Sequence, residues 1–385
     1  MAKPEIRLKG FKGEWSNLSI TKIATLKAGK NFNKNDAVDF PMNGYYPCYG
    51  GNGQRGYVPY YNQEGTFNII GRQGALCGCV NIADGKFYAT EHAVLVTPIV
   101  DTDFNFLHES LVRANINQYA TGAAQPGISV ANVNAQLFLN MPLLDEQKAV
   151  GDYFKSLDSM IQGVTKKIAS LKQMKQACLV SMFPQVGETT PRVRFKGFKG
   201  EWENVSFKDI TYLSGTKNRD NLPLESYSIS NEKGFVPQNE QFEQGGTMAN
   251  ADKRLYYIVT PDSFAYNPAR INVGSIGYDD LDKDVIVSSL YVVFKTDDNT
   301  NNYFLNHWFK TPMFRNMIEL YQEGGVRLYF FYDKLCQCHF RRPCLAEQEK
   351  IASFFTSLDK QISLQEARLE KLKQIKAACL DKMFV

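Results

Sequence analysis

Arg7-Leu-Lys-Gly-Phe-Lys-Gly-Glu-Trp15 returns 187 residues later as Arg194-Phe-Lys-Gly-Phe-Lys-Gly-Glu-Trp202. A second echo follows at an offset of 201. Glu146-Gln147, Phe154-Lys-Ser-Leu-Asp158, Leu171-Lys-Gln-Met-Lys-Gln-Ala-Cys-Leu179 and Met182-Phe183 come back as Glu347-Gln348, Phe355-Thr-Ser-Leu-Asp359, Leu372-Lys-Gln-Ile-Lys-Ala-Ala-Cys-Leu380 and Met383-Phe384. Between the echoes, residues 16–140 and 203–341 hardly match. A frame that repeats while its contents differ suggests two readers on one scaffold. A period near 200 residues is too long for a solenoid, so the chain is a duplicated module.

The later echo is helical. From Val150 the apolar positions fall at Phe154, Leu157, Ile161, Val164, Ile168, Leu171, Cys178 and Met182. The steps alternate four and three, which is a heptad seam, and Lys175 is its one break. Ile351, Phe355, Leu358, Ile362, Leu369, Leu372, Cys379 and Met383 repeat the seam, with Gln365 at one step and Lys376 at the matching break. Each seam predicts a helix about 55 Å long at 1.5 Å per residue. Pro142 and Pro343 precede the helices and Pro184 stops the first. Two matching seams in one chain predict an intramolecular helix pair.

Residues 184–193 read as a polar linker. The inserts carry short β-rich runs, Phe67–Ile70, Ala93–Val96, Tyr256–Val259, Val285–Val287 and Leu290–Phe294, separated by Gly, Asn, Asp and Pro. A helix is predicted late in each, over Phe106–Tyr119 and Tyr303–Tyr321. Each insert is therefore a mixed α+β domain.

The composition, 44% apolar and 22% charged, is that of a globular protein, and a net charge of +4 permits a polyanionic partner without demanding one. No apolar run approaches the roughly 18 residues of a membrane span, and the first residues lack a signal-peptide core, so a cytoplasmic location is expected. Cysteines in such a chain are expected to be reduced. Cys77, Cys79, Cys336, Cys338 and Cys344 lack the spacing of a zinc site and read as small buried hydrophobes on strands.

Catalytic motifs are missing. Nothing fits a phosphate-cradling loop. Gly51-Asn-Gly-Gln-Arg-Gly56 has the glycine spacing of a dinucleotide site, but Tyr57-Val-Pro-Tyr-Tyr follows where a helix is required, so a turn-rich loop is expected. Asn267-Pro-Ala-Arg270 lacks the second proline and the aromatic residue of an adenine methyltransferase motif, and Pro261-Asp262 lacks the rest of a nuclease motif. His92, His108, His307 and His339 share no ligand spacing, and Asp279, Asp280, Asp282 and Asp284 read as a solvated loop. The positive signal is Arg, Lys, Asn and Gln among glycines. In the first insert the candidates for DNA contact are Lys30, Lys34, Asn52, Gln54, Arg55, Arg72 and Gln125; in the second they are Lys217, Arg219, Arg254, Arg270, Asn272 and Arg327. Arg pairs bidentately with guanine, Asn and Gln with adenine.

Taken together, these residues resemble the specificity subunit of type I restriction–modification enzymes over essentially the whole length. The resemblance rests on the duplicated frame and on Pro142-Leu-Leu-Asp-Glu-Gln147 and Pro343-Cys-Leu-Ala-Glu-Gln348 opening the two helices. It rests also on Tyr46-Pro-Cys-Tyr-Gly50, Ile70-Gly-Arg-Gln-Gly74, Gly122-Ala-Ala-Gln-Pro-Gly-Ile-Ser129, Tyr266–Ile276 and Val287-Ser-Ser-Leu-Tyr291. Cys344 departs from the usual leucine.

The resemblance implies two target recognition domains, 1–142 and 194–343, a central spacer helix at 143–183, a linker at 184–193 and a distal spacer helix at 344–385. The implied architecture is α+β, with the two domains separated by an antiparallel pair of coiled-coil helices and related by a pseudo-two-fold. It implies a chain without its own active site or cofactor. Partners would be double-stranded DNA, two modification subunits using S-adenosylmethionine for adenine-N6 methylation, and motor–nuclease subunits using ATP and Mg. Glu146, Gln147, Phe154, Leu157, Ile161, Leu171 and their copies Glu347, Gln348, Phe355, Leu358, Ile362 and Leu372 are the expected helix-pair and modification-subunit scaffold. A different class of reading, a coiled-coil interaction scaffold with two β-rich ligand-binding domains, predicts no salt-sensitive DNA binding.

Overall fold

The computed structural model describes residues 3–122, 126–241 and 252–385. The chain divides into two compact units, Met1–Lys166 with Ala367–Val385, and Lys167–Glu366. Both divisions pass through the long helices, Leu144–Ser181 and Leu345–Met383, whose 38 and 39 residues match the expected lengths. The expected boundaries set 143–183 and 344–385 apart as bodies of their own; instead each unit takes part of both helices. A helix with an apolar stripe needs a surface to bury it, and the domain cores supply that surface.

In the first unit, Val150, Phe154 and Leu157 near the start of the central helix share a core with Met383 and Phe384 at the end of the distal one. In the second unit, Leu179, Met182 and Phe183 at the end of the central helix share a core with Ile351 and Phe355 at the start of the distal one. Start meets end in each case, so the helices run antiparallel. The lysines that interrupt the seams have partners. Lys376 donates to Asp158 at 2.7 Å and to Glu109 at 2.8 Å. Lys175 pairs with Asp359. Asp158 and Asp359 are the aspartates of the repeated Phe-x-Ser-Leu-Asp motif, so an apparent flaw in the pattern is an interhelical ion pair.

The inserts share a topology that their sequences conceal. In the first unit a four-stranded antiparallel sheet runs Ala24–Ala28, Ala93–Pro98, Phe67–Gly71, Val80–Ala83. In the second the same order is Thr211–Leu213, Val292–Thr296, Phe264–Tyr266, Ile276–Tyr278. A short ribbon closes each domain at its root: Ser16–Ser19 pairs with Phe138–Met141, and Glu203–Ser206 with His339–Arg342. Trp15 and Trp202, just before these ribbons, are buried. The predicted Phe106–Tyr119 helix spans Phe104–Arg113 and ends in a short 3-10 turn, Ile116–Tyr119. The predicted Tyr303–Tyr321 helix is broken into Asn302–Trp308 and Pro312–Tyr321, because a proline lacks the donor an interior turn requires and starts a new helix instead.

Among the described residues no helix is long and apolar enough to cross a membrane. Cys48, Cys77 and Cys338 are buried, whereas Cys344 is exposed and does not fit the expectation of a core cysteine. Asp279 is fully buried, unlike the solvated loop expected for it.

Candidate nucleic-acid interface

In the first unit, strands Tyr46–Gly50 and Gly53–Val58 form a hairpin with Gly51-Asn52 at its tip. The expected turn-rich loop is this hairpin. Its tip lies against the Gly71–Gly74 loop so closely that a Cβ on Gly71 would fall 1.9 Å from the Gly51 carbonyl oxygen, and one on Gly51 2.2 Å from that of Gln73. Only glycine permits this approach. A Cβ on Gly74 would fall 3.3 Å from Asn52 Oδ1. Arg72 exchanges backbone hydrogen bonds with its surroundings: its N–H donates to His92 O at 2.8 Å and its carbonyl accepts from Ile128 N at 2.8 Å. Arg72 Nε donates to Ile128 O at 3.2 Å, which fixes the direction of the guanidinium. Gly74 N donates to Pro126 O at 3.0 Å. Three motifs far apart in sequence thus meet in one cluster.

Asn52, Gln54 and Arg55 are exposed along the hairpin and Arg72 is half-buried beside it. The Arg55 guanidinium lies 5.1 Å from the Phe32 ring centroid, which ties the hairpin to the segment carrying Lys30 and Lys34, both exposed. Gln125 lies outside the described residues. The Thr90–His92 turn belongs to the same cluster, since Thr90 N donates to Tyr49 O at 2.9 Å. Nothing in its sequence marks it, because it contributes through its backbone.

In the second unit the Asn267–Ser275 loop joins two neighbouring strands of the main sheet. Asn267 Oδ1 accepts from Ala269 N at 3.0 Å, and Arg270 O accepts from Ser275 N at 3.2 Å, so the loop is internally braced. Arg270 and Asn272 are exposed upon it. Phe330 N donates to Pro268 O at 3.0 Å, anchoring beside it the ribbon tip that carries the exposed Arg327. Lys217, Arg219 and Arg254 form a separate group. Lys217 Nζ donates to Leu255 O at 2.9 Å and lies 3.7 Å over the Tyr257 ring, so its charge is already engaged. Among the described residues no hydrogen bond joins this group to the Arg270 loop.

The frame residues divide by role. Phe154, Leu157, Phe355, Leu358 and Ile362 are buried in the seams, while Ile161, Leu171 and Leu372 are half-buried. Glu146, Gln147, Glu347 and Gln348 are buried and hydrogen-bonded inside their own units, which leaves them no face for a partner subunit. Gln147 Nε2 donates to Pro142 O at 2.9 Å, and its Oε1 accepts from Asp103 N at 3.1 Å, at the cap of the insert's helix. Gln348 repeats this with Pro343 O and Asn301 N, both at 2.9 Å.

Beside the ion pairs the two units differ. Glu109 meets Lys376 in the first unit, and burial pushes its carboxyl pKa up against the pull of that ammonium. In the second unit His307 lies 3.9 Å from Asp359, and burial, then the Lys310 and Lys175 charges, push the imidazole well below its usual range. His108, hydrogen-bonded to Asn68 Oδ1 at 2.7 Å, is pushed down to about 4, mainly by burial and then by Lys376. Both histidines are neutral at physiological pH and act as parts of the core. The two clusters offer exposed cationic and amide groups on braced loops, which suits contact with a nucleic acid.

One stretch of 166 residues is 34% identical to the specificity subunit of the type I restriction enzyme EcoprrI from Escherichia coli, covering 43% of this chain and 40% of that protein. The match therefore spans less than half the length of that relative. The fold is similar to the crystal structure of the S subunit of the type I restriction–modification system from M. genitalium, with a TM-score of 0.71 at 14% identity over 100% of this chain and 99% of that one. A structure solved for complex assembly and conformational transition of the type I R-M system gives a TM-score of 0.50 at 14% identity, covering 97% and 98% of the two chains. Identities this low establish a shared fold. A family model for the type I restriction modification DNA specificity domain matches residues 12–173 and again 199–374, once per repeat, so the chain belongs to that family.

Proposed function

We propose that this chain is the DNA-reading subunit of a type I restriction–modification complex and performs no chemistry itself. Each insert reads one half of a bipartite site, the first through the Asn52–Arg72 cluster and the second through the Arg270 and Arg327 loops. Because the inserts differ in sequence, the two halves differ and the whole site is asymmetric. The observation that carries this reading is the pair of dissimilar inserts, built on one sheet order and one repeated frame, each raising Arg and Asn side chains on glycine-permitted loops.

The frame holds the two readers and receives two copies of a modification subunit in the cytoplasm. S-adenosylmethionine, ATP and Mg are used by the partner subunits, for adenine-N6 methylation and for motor-driven cleavage. A helix of 38 residues, about 57 Å, caps the separation of the half-sites at roughly 17 base pairs of 3.4 Å. A net charge of +4 implies weak binding by this chain alone and tighter binding once partners add phosphate contacts.

Co-expression with a modification subunit, followed by mapping of methylated adenines, tests the reading. One asymmetric bipartite motif is expected. A continuous motif, or no motif with an active modification subunit present, overturns it.

A further inference from the structure

The turns Leu8–Gly13 and Phe195–Gly200 retain more identity than the fold requires. Lys9, Gly10, Lys12, Gly13 and Glu14 are exposed, and so are their counterparts Lys196, Gly197, Lys199, Gly200 and Glu201, yet the two sets are identical. Exposed positions on the long helices are mixed. Lys148 corresponds to Glu349, Asp152 to Ser353, Lys155 to Thr356 and Ser159 to Lys360, all exposed. The glycines are held by their left-handed backbone, but surface substitutions away from such features change stability by only about 0.5 kcal/mol, so folding alone does not hold the two lysines and the glutamate fixed. On the helices some exposed pairs have diverged and others, such as Lys172 with Lys373 and Gln173 with Gln374, are kept; at this turn every exposed pair is kept.

The turn is also built alike in both units. Gly10 and Gly197 both have φ of 105°, and Gly13 and Gly200 have φ of 93° and 82°. Arg7 Nη1 donates to Gly13 O at 2.5 Å and Nη2 to Lys12 O at 3.1 Å. Arg194 does the same to Gly200 O at 2.6 Å and Lys199 O at 3.3 Å. Among the described residues Lys9, Lys12, Lys196 and Lys199 enter no ion pair. Each turn therefore presents two free ammonium groups on a rigid, preorganised backbone. In the second unit it borders an open groove lined by Phe195, Lys350, Phe354, Met174 and Leu358.

We infer that this turn is the docking point of a protein subunit that binds the chain twice, once per repeat, placing carboxylates against each lysine pair. What the inserts read differs between units, so an identical surface on both calls for the same partner at both. The charge of the turn calls for an acidic patch on that partner. The inference rests on the function proposed above, in which the twice-bound partner is the modification subunit, and it moves the contact from the buried Glu-Gln pairs to the exposed turns.

Native mass spectrometry of the full chain co-expressed with its modification subunit tests this. Two partner copies per chain are expected for the wild type, one for K9E/K12E, one for K196E/K199E and none for the fourfold variant, with roughly tenfold or greater weakening per turn. Thermal melting of the chain should not change, and K9R/K12R should keep both copies. Variants that bind two copies at wild-type affinity overturn the inference. So do variants that keep both copies but lose salt-sensitive DNA affinity, because the lysines then face phosphates. A wild-type chain that binds no modification subunit overturns the proposed function as well.

Discussion

Arg7 Nε and Nη2 each lie 2.7 Å from a carboxylate oxygen of Glu146, and Arg194 repeats both distances with Glu347. The two echoes of the sequence are therefore two halves of one clasp. The arginine comes from the turn that opens each repeat, and the glutamate from the first turn of the helix that closes it. The glutamine after each glutamate grips the cap of the insert's helix. Everything between the halves is free to change, provided it leaves and re-enters at the same root ribbon.

Glu146→Gln leaves the Arg7 guanidinium facing a neutral amide at a site where the glutamate side chain is 4% exposed and the arginine 18%. Removing one charge of a nearly buried, bidentate pair should cost roughly 2–3 kcal/mol. Urea unfolding should show this loss, and Glu347→Gln should show a similar one.

Lys376→Met removes the cation shared by Asp158 and Glu109. Glu109 is 2% exposed and its Oε2 already lacks a partner. An uncompensated buried carboxylate should destabilise the first unit by about 3 kcal/mol. Replacing Glu109 with Gln in the same chain should restore most of that loss, and a double-mutant cycle measures the coupling.

Gly71→Ala places a methyl group where the Gly51 carbonyl oxygen lies, 1.9 Å from the ideal Cβ. The hairpin tip must move away from Arg72, at a cost of about 1–3 kcal/mol. Methylation mapping should show the first half-site degraded and the second unchanged. Equal degradation of both halves would falsify the assignment of this cluster to one half-site.

Asp279 is fully buried, its Oδ2 has no partner, and its pKa is pushed up to about 7. Burial is the main cause, opposed by the Leu281 N–H, with the charges of Asp280, Asp262 and Asp284 adding to the rise. A folded-state pKa above the unfolded value of about 3.9 means the folded chain holds the proton more tightly. The associated stability is fully present below the unfolded value and is lost as pH rises through about 7. Stability should therefore fall from about pH 4 to about pH 7 and level off above it. Asp279→Asn, which can still accept from Leu281 N, should remove that dependence in denaturant titrations.

The duplication, the two long helices and their bounds to within a few residues were legible because they rest on local periodicity and on breakers such as Pro142 and Pro343. The candidate residues on glycine-rich runs were legible as types, because glycine marks close approach before the approaching partner is known. Which of them act together was not legible. Asn52 joins Arg72 and Ile128 only through packing between segments remote in sequence, whereas Lys217, alike in type, is turned onto Tyr257.

The lysines at 175 and 376 look like flaws to any rule based on hydrophobic period, since their partners sit on another helix. The shared strand order of the two inserts was hidden as well. Backbone hydrogen bonding sets strand order, and many side-chain sets satisfy it, so 16–140 and 203–341 can agree in fold while disagreeing in letters. The sequence by itself determined that there are two of everything in the frame and two different inserts. Only the tertiary structure decided that Arg7 closes on Glu146, because long-range pairing depends on where the intervening chain brings its ends.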